Sequence, residues 1–184
     1  MTDPILYLLR HGETEFNIEG RLQGQRDSPL TARGRAQARA HGALLKTLIA
    51  EPETAIETDP RLKEIAYGEW EGLTWAEAEA RDPDAWAARE RDRWGFVVPG
   101  GESYAMVAVR AGAFLDEARG NTIVVSHGGT GRVLRGLYGR LAPPEIKTLE
   151  QPQDALHRLA RGTIARIDHG ESGRGRKFGL IAMD

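Results

Sequence analysis

A chain of 184 residues is long enough for one domain with a sizeable core, and residues 1–184 are read as a single domain. The formal net charge is -2, with 40% hydrophobic and 28% charged residues, so there is no global basic field to hold nucleic acid or an anionic membrane. There is no cysteine, which excludes disulfides, thiolate catalysis and cysteine-based zinc sites.

Ile5 to Leu9 is a continuous apolar run that reads as a buried parallel strand. With about five residues after Pro4, it is too short for a secretory leader, and nothing approaches the roughly 20 apolar residues of a membrane helix, so the expected location is the cytoplasm. A polar, glycine-containing loop runs from Arg10 to Leu30. Thr31 is an N-cap for a helix to about Ile49, with Ala36, Ala40, Leu44 and Leu48 on one face. Glu51 to Pro60 reads as irregular, and Leu62 to Ile65 as a short extended piece. Thr74 with Glu77 is a capping box for a helix to about Arg81, stopped by Asp82-Pro83. The Trp- and Arg-rich stretch Trp86 to Trp94 leads to a turn at Pro99-Gly100-Gly101, then a helix over Tyr104 to Ala118. Thr122 to Val125 is a second buried strand, Ser126 to Gly129 a sharp loop and Thr130 to Tyr138 a helix. Thr163 to Ile167 and Phe178 to Met183 read as two final strands joined by a glycine- and arginine-rich link. The alternation of strand and helix predicts an α/β fold.

Two segments carry chemistry. Leu8-Leu9-Arg10-His11-Gly12-Glu13-Thr14 and Val124-Val125-Ser126-His127-Gly128-Gly129-Thr130 each end a buried strand in histidine and glycine. Ligands of open α/β sheets bind beyond the carboxyl ends of parallel strands, so neighbouring strands of this kind bring His11 and His127 together. An imidazole is a competent nucleophile near neutral pH, and the Arg10 guanidinium is a planar fork suited to phosphate oxygens. His41, His157 and His169 have no metal-ligand spacing and read as surface residues; no metal or cofactor is expected.

The string Arg10-His11-Gly12-Glu13-Thr14, then Asn17, Gly20-Arg21, Gln23-Gly24, Asp27, Pro29-Leu30-Thr31 and Gly34, resembles the signature of the histidine phosphatase (phosphoglycerate mutase-like) superfamily. Leu62-Lys63-Glu64-Ile65, Gly68-Glu69-Trp70-Glu71-Gly72, Pro99-Gly100-Gly101-Glu102-Ser103 and Ser126-His127-Gly128-Gly129 follow in that family's order, so the resemblance spans Ile5 to Gly136. It implies a three-layer sandwich with a mostly parallel central sheet flanked by helices. It also implies phosphorylation of His11, with Arg10, His127, Asn17 and Gly128 around the phosphoryl group. Gln23 and Gly24 match the loop at the substrate entrance, and Glu64 matches the general acid, a role that calls for partial burial. Glu102 is the rival acid, while Glu69 and Glu71 read as solvated turn residues. The implied activity is metal-independent hydrolysis of a small phosphomonoester through a phosphohistidine. Phosphoglycerate mutase and a degenerate phospho-ligand binder are the alternatives. Neither nucleic acid nor membrane is an expected partner.

One part of the family pattern is missing. Relatives carry a strand and helix with a Ser-Ser-Pro-Leu-x-Arg-Ala-x-x-Thr motif before the Leu-x-Glu-Ile string. This chain passes from Ala43-Leu44-Leu45-Lys46 to Thr58-Asp59-Pro60-Arg61 without it. A βα unit of roughly 20–30 residues is absent, together with an arginine of the phosphate site. The favoured expectation is that these residues are omitted from the sequence. They would then show as a backbone jump between Lys46 and Thr58 and as a mass roughly 2–3 kDa above the 20.2 kDa of the chain.

Overall fold

The computed structural model describes residues 4–49, 56–169 and 180–181. Strands β1 (Ile5–Arg10), β2 (Asn121–Ser126), β3 (Ala155–Ala160), β4 (Thr163–Asp168) and β5 (Leu180–Ile181) form one sheet in the order β2-β1-β3-β4-β5. Helices α1 (Glu15–Ile18), α2 (Ala32–Leu48), α3 (Trp75–Arg81), α4 (Pro83–Arg91), α5 (Tyr104–Glu117), α6 (Gly128–Tyr138) and α7 (Pro143–Thr148) surround it.

β1 is apolar from Ile5 to Leu9 because both of its faces are covered. Leu6 and Leu8 pack with Val107, Ala111, Val133, Leu134 and Ile146 of α5, α6 and α7. Tyr7 and Leu9 face the other way, against Leu156, Ile167 and the α2 residues Leu44, Leu45 and Leu48. These two clusters make three layers, as the resemblance implies. A third cluster, Leu22, Trp70, Ala78 and Val98 with Trp86 and Phe96, packs α3 and α4 beside the sheet.

The sheet itself corrects the expectation of a mostly parallel one. Only β1 and β2 run parallel, from Ile5 opposite Asn121 to Arg10 opposite Ser126. β1–β3, β3–β4 and β4–β5 are all antiparallel. The reason is local: Arg161 (φ 52°) and Gly162 (φ 70°) make a two-residue turn that folds β3 straight back as β4. The sequence reading had no strand at Ala155–Ala160 and no helix at α7.

Several local expectations hold. Thr31 accepts from the Gly34 N–H, the Thr74–Glu77 capping box is formed, and Asp82 both ends α3 and caps α4. Others need correction. The buried face of α2 is Gly34, Gln37 and His41, whereas Ala36 is exposed. His41 and His157 are each only 3% exposed, so they are not surface residues. Leu62–Ile65 is no strand: a 3-10 turn at Pro60–Leu62 leads into a loop clamped by Ser126 Oγ on Leu62 O (3.1 Å) and Thr130 Oγ1 on Lys63 O (2.6 Å).

The predicted backbone jump between Lys46 and Thr58 bears on residues 50–55, which lie outside the described residues, as do Met183 and the glycine- and arginine-rich link. β2 stands at the edge of the sheet, and Val125 in it is 57% exposed.

Candidate active site

The parallel pairing of β1 with β2 sets Arg10 opposite Ser126, so His11 and His127 leave the sheet side by side. Their ring centroids lie 5.1 Å apart. The His11 N–H donates to Ser126 O at 3.0 Å, which ties the two strand ends together. His11 Nδ1 lies 2.7 Å from Gly12 O. A carbonyl only accepts, so Nδ1 carries the proton and the lone pair is left on Nε2. Gly12 is required here: a Cβ would stand 2.2 Å from Gly34 O.

Both rings are half-buried in charge. Burial lowers the His11 pKa; the Gly12 hydrogen bond opposes this, and nearby His127 and Arg10 add to it. Burial also lowers the His127 pKa, Glu64 raises it, and Arg10 lowers it further. These shifts leave His127 a neutral donor at neutral pH.

Around this pair the sequence-predicted residues converge. Arg10 NH1 donates to Gln151 O (3.2 Å), while its buried Nε has no partner among the described residues. Asn17 Oδ1 accepts from Thr14 N (3.2 Å) and Gln153 Nε2 (2.9 Å), which leaves its NH2 as the free end. Gly128 begins α6, and its missing side chain admits Arg10, whose guanidinium carbon lies 3.4 Å from a Cβ built there. Gln23 is engaged at both ends, accepting from Thr14 Oγ1 (2.9 Å) and donating to Arg26 O (3.2 Å), so it shapes the entrance loop. Gly24, at φ +54°, lies close against Glu71. Glu71 is no solvated turn residue: it accepts from Gln25 N at 3.0 Å and Tyr67 N at 3.2 Å and braces this loop.

Glu64 is half-buried at the N-terminus of α6. Oε1 accepts from Ile65 N and Thr130 N and Oε2 from Gly129 N, each at 2.9 Å. Oε2 has one such partner and retains a lone pair for a proton. The rival Glu102 is locked instead by Arg110, with both contacts at 3.0 Å, and by Ala66 N at 3.0 Å. Arg110 also donates to the carbonyls of Arg61 (2.6 Å), Lys63 (2.8 Å) and Glu64 (3.2 Å), so it positions the loop that presents Glu64.

These groups line one cavity of about 380 Å³, within the usual range for small-molecule sites. Arg89 and Arg93 of the Trp- and Arg-rich stretch reach it, as do Tyr67 and Tyr104. Two further lining residues, Arg132 and Lys147, were missed by sequence reasoning. Arg132 lies one helical turn beyond Gly128, a spacing that was available. Lys147 sits on α7, whose paired prolines and Glu145 at the helix start were the overlooked signal. Among the described residues, no three His, Asp or Glu side chains are grouped so as to hold a metal ion, and no helix is long and apolar enough to cross a membrane.

Comparison with known proteins places this geometry in a family. A 2,3-bisphosphoglycerate-dependent phosphoglycerate mutase of Gloeobacter violaceus is 31% identical over 196 residues, covering 89% of this chain and 90% of that one. That alignment is longer than this chain's 184 residues while using only 89% of them, so the relative carries residues without counterpart here. A glucosyl-3-phosphoglycerate phosphatase of Mycobacterium tuberculosis is 33% identical over 158 residues, covering 67% of this chain and 70% of its own. The crystal structure of an α-ribazole phosphatase from Shigella flexneri shares the fold, with a TM-score of 0.70 at 23% identity over 89% of this chain and 90% of its own. The sequence model of the histidine phosphatase superfamily (branch 1) matches residues 6–51 and 46–164, two parts that meet at residues 46–51. The chain belongs to the histidine phosphatase superfamily.

Proposed function

We propose that the chain is a phosphomonoesterase that works through a phosphohistidine at His11. The observation that carries this reading is the 2.7 Å contact from His11 Nδ1 to Gly12 O, which leaves Nε2 as a fixed nucleophile beside His127. In the first step the Nε2–P bond forms as the ester P–O bond breaks. Charge spread over the equatorial oxygens is met by Arg10, His127, the Asn17 amide and the Gly128 N–H at the start of α6. Glu64 gives its proton to the leaving oxygen. In the second step water attacks phosphorus, Glu64 takes the water's proton, and phosphate leaves Nε2 free. Every group invoked is a protein side chain or backbone N–H, so no metal is assigned a step. The substrate is a small phosphorylated molecule, with neither nucleic acid nor membrane involved, and the cytoplasm is the proposed location.

A mutase reading is supported by the name of the Gloeobacter relative. It differs only in the acceptor, a bound product hydroxyl in place of water. The absent arginine supports a phospho-ligand binder without turnover.

The test is trapping. Incubation with labelled phosphoester followed by a base quench, which preserves the acid-labile P–N bond of a phosphohistidine, should leave label on the wild-type chain and none on His11→Ala. Trapping that survives the substitution removes His11 from the role. Release of phosphate from an aryl phosphate, against isomerisation of 3-phosphoglycerate with a bisphosphoglycerate primer, separates phosphatase from mutase, and absence of both supports the binder.

A further inference from the structure

A second cavity, of about 320 Å³, lies where β3 and β4 meet the far end of α6 and the residues after α7. It shares no lining residue with the cavity around His11. Leu141, Leu149 and Ile164 give it apolar walls.

Into these walls the fold sets a guanidinium. Arg135 lies two turns of α6 beyond Gly128, about 10 Å along the helix axis, and is only 7% exposed. Arginine is almost never buried to this degree without a carboxylate partner. Among the described residues Arg135 has none. Its side chain meets His157 Nε2, a neutral acceptor that engages only one of its donors. Arg166, the other cation of the cavity, is already held by Asp168 at 2.7 Å. Glu150, the one carboxylate lining the cavity, is exposed to solvent and forms no ion pair with Arg135.

The imidazole is unsatisfied as well. With Nε2 accepting, Nδ1 carries the proton, and this buried N–H has no partner among the described residues. Burial, then Arg132 and Arg166, bring the Arg135 pKa down to about 10, with Glu150 opposing. The side chain is therefore charged at neutral pH, and no described carboxylate offsets its desolvation.

An anion in the cavity would offset it, and the walls select which anion. One guanidinium matches a single negative charge, and its planar fork matches the two oxygens of a carboxylate. Apolar walls would leave the further oxygens and second charge of a phosphate dianion unsatisfied. The volume is near the lower end of the range usual for ligand sites, which suits the body of a small acid.

We propose that this cavity is a binding site for a small apolar monocarboxylate, its carboxylate held by Arg135 and its body packed on Leu141, Leu149 and Ile164. The site is separate from the phosphoryl chemistry and does not depend on it.

Calorimetry on the whole chain tests this, with hexanoate and benzoate set against the neutral hexanamide and benzamide. At least one acid should bind about ten- to a hundredfold tighter than its amide, the size of one charge-assisted contact. Arg135→Met, which keeps an apolar chain and removes the charge, should abolish that preference. Leu149→Trp, which fills the cavity and leaves Arg135 in place, should abolish binding of acid and amide alike, and it decides the matter if Arg135→Met fails to fold. In amide NMR spectra of the wild-type chain, the acid should move the Gly139 and Gly162 signals and leave those of Gly12 and Gly128 in place. Equal affinity for acid and amide overturns the proposal, as does acid binding that survives either substitution. Absence of heat with both acids at millimolar concentration overturns it too. Shifts confined to Gly12 and Gly128 would put the acid in the phosphoryl site, and inorganic phosphate that displaces the acid from Gly139 and Gly162 would make the site one for phosphate; either result sinks the assignment.

Discussion

The ends of β1 and β2 are alike in sequence and differ in how they are held. β1 lies inside the sheet, paired on both sides, and the ring at its end is fixed by Gly12 O. β2 is an edge strand, and the ring at its end has no hydrogen-bond partner among the described residues; its own residue N-caps α6. On the proposed phosphohistidine reading, the difference fits two roles. A nucleophile needs its lone pair kept in one place, which the β1 end provides. A donor that follows the phosphoryl group from substrate to enzyme needs freedom to turn, which the β2 end provides.

Substitutions at the two ends should therefore have unequal effects. His11→Ala should take turnover to background. Glu64→Gln, which keeps the shape and removes the proton, should cost about 10²–10⁴-fold for alkyl esters, whose leaving groups need protonation, and much less for an activated aryl phosphate. Equal losses across leaving groups would make Glu64 a residue that only positions α6. His127→Ala should cost about 10²–10³-fold, the usual effect of removing one transition-state donor, with label still trapped on His11. Complete loss of trapping in that variant would erase the distinction between the two ends.

The β1 end was legible in the sequence because its constraints are local. A fully apolar strand, an arginine, a histidine and a glycine lie within ten residues, and the capping threonines that follow act over three or four positions. The β3 strand was not legible. Ala155–Ala160 includes His157 and Arg158, which interrupt the apolar pattern, and the Arg161-Gly162 turn carries none of the usual asparagine or aspartate. His157 is buried because the strand passes beneath α6, a long-range fact that no local pattern encodes. Lys147 and Arg132 were missed for the same reason, since α6 and α7 become one wall of the pocket only once Ile146 packs into the core near Val133 and Leu134.

The smallest effect predicted lies away from the pocket, at the buried histidines, and it separates stability from activity. His157 Nε2 lies against the Arg135 guanidinium, which can only donate, so this ring accepts there and is neutral. Burial, then Arg135 and Arg166, bring its pKa down to about 3. Burial, then His169, whose Nε2 lies 2.8 Å away, brings that of His41 to about 4. In the unfolded chain both titrate near about 6.5. Between these values and 6.5 the unfolded state binds protons that the folded state refuses, so stability falls as pH falls through this window and is fully present above it. By pH 5 each histidine should remove roughly 2 kcal/mol relative to pH 7.5, an order-of-magnitude figure from the sizes of the shifts. Urea unfolding at the two pH values should show this loss, and His157→Gln should remove about half of it. The His11 pKa is also lowered, so its nucleophilic form persists below pH 6.5. The pocket should then tolerate lower pH than the fold does, so that the acid limit of turnover is set by unfolding rather than by the pocket. A urea midpoint that stays flat from pH 7.5 to 5 would mean that the core accepts these protons, and the acid limit would then have to come from His11 itself.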